Sequence, residues 1–143
     1  MDEKDLEILR ELQKDGKAKI KKIAKKLGIP MSTVHHRILR MEKGGIIKKY
    51  MAVPDYRKIG LPVCFYVLVN VSYGEATSQE AVARKIRKIP NVLEVNIVSG
   101  ELDIIVKARA ADIEDLGKSV LDKMRNIRGV LKTVTSVVMR EMD

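Results

Sequence analysis

Residues 20–50 read IKKIAKKLGIPMSTVHHRILRMEKGGIIKKY, from Ile20 to Tyr50, and the spacing of apolar and basic residues in this stretch decides how the rest of the chain is read. Ile20, Ile23, Ala24 and Leu27 recur at three and four residues, which gives a short helix one apolar face. Gly28 can end that helix in a left-handed conformation. Val34, Ile38 and Met41 then fall at i, i+4 and i+7 and predict a second helix that buries them, while His35, His36, Arg37 and Arg40 project elsewhere. Two helices joined by so short a turn cross steeply. The pattern predicts a helix-turn-helix whose second helix offers a polar face to a DNA major groove, a gap about 12 Å wide that an α-helix fits.

Charge falls on the same residues. Residues 1–60 hold 16 Lys and Arg against 8 Asp and Glu, a net +8, whereas residues 61–143 hold 12 against 11, a net +1. Residues 17–50 alone carry 11 basic side chains and one acid, Glu42. A run of like charge is often no more than a solvated face, but one that coincides with a helix-turn-helix pattern implies a polyanion, here double-stranded DNA. Ser32, Thr33, His35 and His36 stand at the N-terminal end of the second helix, where base edges are met, and Arg40 is placed to reach a phosphate. Arg37, one turn after Thr33, fits either a DNA contact or a structural role. Lys17, Lys19, Lys21, Lys22, Lys25 and Lys26 spread too evenly around a helix for all to touch DNA; about half are expected to, Lys22 among them, since phosphate contacts are sequence-blind.

On the C-terminal side, IIKKYMAV from Ile46 to Val53 brackets Lys48 and Lys49 with apolar residues. A short strand or hairpin there would be a wing that presents those lysines to phosphates. On the N-terminal side, Asp2 can cap a first helix with Glu3 and Asp5 at the positive end of its dipole. Leu6, Leu9 and Leu12 line its expected buried side, with Ile8 flanking, until Asp15 and Gly16 break the pattern. The head is assigned residues 1–53.

Pro54, Gly60 and Pro62 punctuate residues 54–62, where composition turns from basic to balanced, and this is the expected linker. Residues 63–143 form the second domain. Val63 to Val71 is a continuous apolar run of the kind covered on both faces. Thr77 and Glu80 make a capping pair for a helix to Ile89, lined by Val82, Ile86 and Ile89. Strands follow at Val92 to Val98 and Ile104 to Ala108, around a turn at Ser99 to Asp103. Asp112 can cap a second helix with Leu116, Val120 and Met124 inward, and Val130 to Met139 is the last strand. IPNVLEV at Ile89 and IRGVLKT at Ile127 form a weak repeat 38 residues apart. The order βαβ, twice, predicts a ferredoxin-like βαββαβ sandwich with both helices on one face of an antiparallel sheet, so the class is α+β. The uncovered face implies a homodimer formed sheet to sheet.

Other functions find less support. Cys64, the single cysteine, lies in an apolar run and reads as a buried thiol. His35 and His36 are adjacent and diverge on a helix, the wrong geometry for a shared metal, and neither a metal nor a cofactor is expected. The chain has no apolar run long enough to span a bilayer and no leader pattern, so a cytoplasmic location is expected. Ser99, Gly100, Glu101, Leu102 and Asp103 form the one candidate small-molecule site, although local chemistry alone reads SGELD as a hairpin turn in which Asp103 satisfies backbone amides.

The chain as a whole resembles the Lrp/AsnC family of transcription regulators, also called feast/famine regulatory proteins. MDEKDLEILRELQKDGK is similar to that family's first helix, residues 20–50 to its reading head and wing, and VSGELDIIVKA to its effector-domain signature, so nearly all of the chain is covered. The resemblance implies a sequence-specific regulator, a dimer assembling to tetramer or octamer, that responds to an amino acid bound near Gly100 and Asp103 at contacts between dimers. Thr133 and Thr135 are weaker carry-overs from the same family. Arg37 falls at a position where the family usually has arginine. Pro30 departs from the family's capping serine, with Ser32 and Thr33 following. Two further classes compete: an enzyme of the sirohaem decarboxylase type, which shares the architecture without needing DNA, and an architectural DNA-compacting protein. No acid-base or nucleophile constellation in the sequence supports the first.

Overall fold

The structure, a computed structural model, describes residues 1–74 and 77–142. It divides into two compact units, Met1–Val53 and Pro54–Asp143. Three helices make the first: α1 (Glu3–Lys14), α2 (Ile20–Leu27) and α3 (Met31–Lys43). Asp2 caps α1 by accepting from the Asp5 N–H, while the Asp5 carboxylate accepts from the Asp2 N–H, a closed reciprocal box. The inner face of α1 is centred on Ile8 and includes Asp5, with Leu9 and Leu12 partly buried; Leu6 is exposed. The expected leucine stripe is thus corrected, because Ile8 meets Ile23, Ala24, Val34 and Met41, and Leu6, two residues before it, falls on the far side of the helix.

Gly28 closes α2 at φ +64, and its N–H and that of Ile29 both return to the Ala24 carbonyl. Pro30 precedes α3 and offers no side-chain cap. At the other end, Ile46 and Ile47 both donate to the Met41 carbonyl, which draws Ile47 onto the core. Residues 46–53 form neither a strand nor a hairpin. A strand needs a neighbour to take up its backbone hydrogen bonds, and no other extended element exists in this unit. Tyr50 instead donates its hydroxyl to Glu42 Oε1 at 2.8 Å.

The second unit is a four-stranded antiparallel sheet, β1 (Val63–Val71), β2 (Val92–Ile97), β3 (Ile104–Ala110) and β4 (Val130–Val137), in the order β2-β3-β1-β4. Helix α4 is Gln79–Arg87. Helix α5 covers residues 113–125, an α-helical turn (Ile113–Asp115), a π-helical stretch (Leu116–Leu121) and a last turn (Asp122–Arg125). Phe65, Val67 and Val69 pack with Ile104 and Val106 of the neighbouring strand and with Val82, Ile86, Val120 and Met124 of both helices, so both helices cover one face. The alternate residues of β1 and β3, Tyr66, Leu68, Ile105 and Lys107, form the other face.

Two details differ from the sequence reading. The cap of α4 is Ser78, which accepts from the Ala81 N–H, because Thr77 spends its hydroxyl on the Ser72 carbonyl at 2.9 Å. Residues 54–62 are folded onto the second unit: the Tyr56 ring lies 4.0 Å from the guanidinium carbon of Arg109, a buried residue whose charge is paired with Glu141. A buried cation needs a counter-ion and a polarisable face, and the segment expected to be a free linker supplies the face. The internal repeat is structural. Asn91 and Gly129 both take positive φ, +65 and +102, and their carbonyls accept from Arg109 and Ser72 respectively.

Candidate nucleic-acid interface and effector turn

The first turn of α3 carries Ser32 and Thr33, and the first hydrogen bond that closes it runs from the Val34 N–H to the Pro30 carbonyl at 3.2 Å. The N–H groups of the preceding residues have no partner within the helix and stand at its positive end. Ser32, His35 and His36 occupy i, i+3 and i+4 and share one exposed ridge; Thr33 is half-buried beside it. Val34 and Met41 are buried on the opposite side.

Arg37 and Arg40 turn towards α1. Arg37 Nη1 donates to both oxygens of Asp2 at 2.7 and 2.6 Å and to Asp5 Oδ1 at 2.8 Å. Arg40 Nη2 donates to the Asp5 carboxylate at 3.1 and 3.0 Å. Asp5 is 1% exposed, the single buried acid of the head, and the sequence reading gave it only a role in the helix dipole. Two spacings could have revealed it: Asp2 and Asp5 stand three apart on α1, as Arg37 and Arg40 do on α3. The Asp2 N–H first, and then Arg37, hold the Asp5 carboxyl down to about 2. Ionised Asp5 therefore stabilises the head fully above the unfolded value near 3.9, and this contribution is lost as pH falls to about 2. Asp5→Asn should flatten the acid limb of a pH–stability curve over that window, read by circular dichroism; an unchanged limb would assign acid unfolding to other carboxylates.

Lys26 donates to Glu11 at 2.7 Å, and Lys14 shares that acid. Among the described residues Lys22, Lys48 and Lys49 are exposed and make no ion pair, and the same holds for Lys17, Lys19, Lys21, Lys25 and Lys43. Eight of the 11 basic side chains in residues 17–50 thus keep their charge for an external anion.

Ser99 to Asp103 is the tip of the hairpin between β2 and β3, closed by the Val98 N–H on the Asp103 carbonyl at 2.9 Å, with Gly100 at φ +127. Ser99, Gly100 and Glu101 are exposed, Leu102 and Asp103 half-buried. Asp103 Oδ2 accepts from the Val71 N–H at 2.7 Å, and Oδ1 from the Tyr73 hydroxyl at 2.6 Å and Gln79 Nε2 at 2.9 Å. Asn70 adds a bond to the Glu101 carbonyl at 2.9 Å. The Tyr73 hydroxyl, then the Val71 N–H and Gln79, hold the Asp103 carboxyl below its ordinary value, and Asp103 in turn pushes the Tyr73 phenol up. Tyr73 and Gln79 were invisible in the sequence, since only folding brings them 30 and 24 residues back to Asp103. Thr133 and Thr135 are elsewhere. They pair with Val69 and Val67 from the far side of β1, two strand spacings of about 4.8 Å from β3. Among the described residues no group of His, Cys, Asp or Glu is placed to hold a metal ion, and no helix is long and apolar enough to cross a membrane.

These two sites fall in segments with known counterparts. Residues 1–48 match the winged helix-turn-helix DNA-binding family, and residues 64–143 match the Lrp/AsnC ligand binding domain. The chain belongs to the Lrp/AsnC family. It is 45% identical over 137 residues to an uncharacterized HTH-type transcriptional regulator of Pyrococcus furiosus, covering 96% of this chain and 91% of that one. HTH-type transcriptional regulator FL11 of the same organism is 36% identical over 140 residues, 98% and 90% of the two chains. A Neisseria meningitidis transcriptional regulator solved as an L-Met complex superposes with a TM-score of 0.90 at 25% identity, over 100% of this chain and 92% of that one. LrpC of B. subtilis gives 0.84 at 28%, over 100% and 97%. This Lrp/AsnC chain is a DNA-binding transcription regulator, with its helix-turn-helix in the first unit and its ferredoxin-like domain in the second.

Proposed function

We propose that this regulator is sequence-specific, reading base edges with Ser32, Thr33, His35 and His36 and holding phosphates with Lys22, Arg40, Lys48 and Lys49. The observation that carries the reading is the exposed ridge of short polar side chains on α3, set in a head where eight lysines have no acidic partner. A homodimer, assembling further to tetramer or octamer, pairs two heads on a pseudo-palindromic site. The half-covered sheet face of Tyr66, Leu68, Ile105 and Val134 supports the dimer. The protein is read as a binding protein, not an enzyme, working with the DNA in the cytoplasm: a decarboxylase of this architecture has no use for a basic head. Genome-wide mapping of bound sites tests the reading. A recurrent two-fold motif is expected, and even coverage of the chromosome would replace it with DNA compaction.

The effector is an amino acid at the Ser99–Asp103 turn. Its carboxylate meets backbone N–H groups around Gly100, and its ammonium meets the ionised Asp103. The L-Met complex of the Neisseria meningitidis regulator supports the ligand class. Thr133 and Thr135 are assigned a lesser part, reached through assembly. Binding at a contact between dimers links ligand to assembly, so the expected change in DNA affinity is 5- to 150-fold, a coupling of about 1–3 kcal/mol. Asp103→Ala should abolish that response while dimerisation and basal DNA binding persist. Calorimetry against the twenty amino acids and sedimentation with each are the measurements; no heat and no shift with any of them would leave the turn a turn.

A further inference from the structure

We propose that the Asp2–Asp5 pair sets the charge that the recognition helix shows to DNA: it withdraws Arg37 from the contact set as a positioning residue, and its buried member, Asp5, tethers Arg40 with part of its guanidinium to spare. The inference rests on the DNA-contact reading above. Its basis is a matched pair of spacings. Asp2 and Asp5 stand at i and i+3 on α1, Arg37 and Arg40 at i and i+3 on α3, and the four charges meet face to face with all Arg–Asp separations between 2.6 and 3.1 Å.

The three players differ in what they have left. Asp5 is saturated: buried, it accepts from the Asp2 N–H at 2.9 Å, from Arg37 and twice from Arg40. Arg37, its side chain 23% exposed, bridges two carboxylates through one terminal nitrogen and so locks the middle of α3 onto the first turn of α1. Arg40, 63% exposed, spends one terminal nitrogen on Asp5 and keeps its other donors for a phosphate. Two acids cancel two arginines, which leaves the reading ridge of Ser32, His35 and His36 flanked by no uncompensated arginine. Attraction then comes from the lysines of the rest of the head, and discrimination from hydrogen-bonding side chains on a helix whose angle is fixed. A phosphate contact binds any sequence, so a free Arg37 would raise affinity for all DNA alike.

The experiment measures affinity of the full-length protein for random duplex and for a site obtained by in vitro selection, across a salt series. The double substitution Asp2→Asn with Asp5→Asn keeps both side-chain shapes and removes both charges, which weakens all three carboxylate bonds of Arg37. In a dimer it should steepen the random-DNA salt slope by about 2, at ~0.9 per phosphate gained, and, because α3 also loses its lock onto α1, shrink the ratio of selected to random affinity about tenfold. An unchanged slope and ratio would overturn the proposal. Arg37→Met keeps much of the apolar stem and removes every donor that bridges Asp2 and Asp5. It should lower the ratio about tenfold at constant slope, and an unchanged ratio would overturn the positioning role even if the Asp2, Asp5 double variant fails to fold. Wild-type protein that bound DNA without any salt dependence would instead remove the DNA-contact reading itself.

Discussion

Raising monovalent salt from 50 to 200 mM should weaken the binding of the full-length protein to duplex DNA about 10⁴-fold, a log–log slope near −7 for a dimer that neutralises about eight phosphates. The basic side chains of the head are the candidate donors. Lys26 is paired with Glu11, and Arg37 and Arg40 with Asp2 and Asp5, but the eight other basic side chains of residues 17–50 make no ion pair among the described residues. A dimer therefore carries more unpaired cations than the slope needs, and geometry selects among them. Lys48 and Lys49 lie exposed in a segment that has no strand partner of its own. Replacing both by Ala removes up to four phosphate contacts from a dimer, so the slope should relax towards about −4 with site preference intact. Fluorescence anisotropy across a salt series reads both numbers. A double variant with the wild-type slope would take these lysines out of the contact and leave the phosphates to α2 and α3.

The helix-turn-helix was legible because its signals are local: a period of three and four residues, a glycine that closes α2, and charge on the same residues. The ferredoxin-like order was legible for the same reason, each element having its own apolar period. What escaped depends on partners distant in sequence. The buried carboxylate of Asp5 looked like a helix-dipole residue because Arg37 and Arg40 stand more than thirty positions away. Residues 46–53 bracket two lysines with apolar residues and so read as a strand or hairpin, but pairing is a property of two segments, and the head offers no second one. Residues 54–62 look like a linker by composition and become structure only where Tyr56 meets Arg109. At the Ser99–Asp103 turn, Gly100 and Asp103 are singled out as a candidate site by family resemblance. Tyr73 and Gln79, which hold Asp103 in place, carry no signal of spacing at all.

The repeat that sequence reading found only weakly leads to the second large effect. Asn91 and Gly129, 38 positions apart, each end a helix-to-strand turn with a positive φ, so each is a candidate for the same backbone demand. Packing separates them. At Gly129 φ is +102, outside the left-handed region that asparagine tolerates, and an added Cβ would lie 3.0 Å from a Val82 methyl and 3.1 Å from a Thr77 methyl. Val82 is buried on α4 and has nowhere to move. Backbone strain of about 1–2 kcal/mol and overpacking of similar size add, so Gly129→Ala should destabilise the second unit by about 3 kcal/mol and lower its melting temperature by about 15 °C. Asn91 is exposed, and its φ of +65 is one a glycine adopts without cost, so Asn91→Gly should be neutral or slightly stabilising. Differential scanning calorimetry of the two variants decides the matter. Equal losses at the two positions would mean that the shared turn governs both, whereas the expected asymmetry assigns the larger constraint to the contact of Gly129 with Val82 and Thr77, the place where the two halves of the sandwich cease to be equivalent.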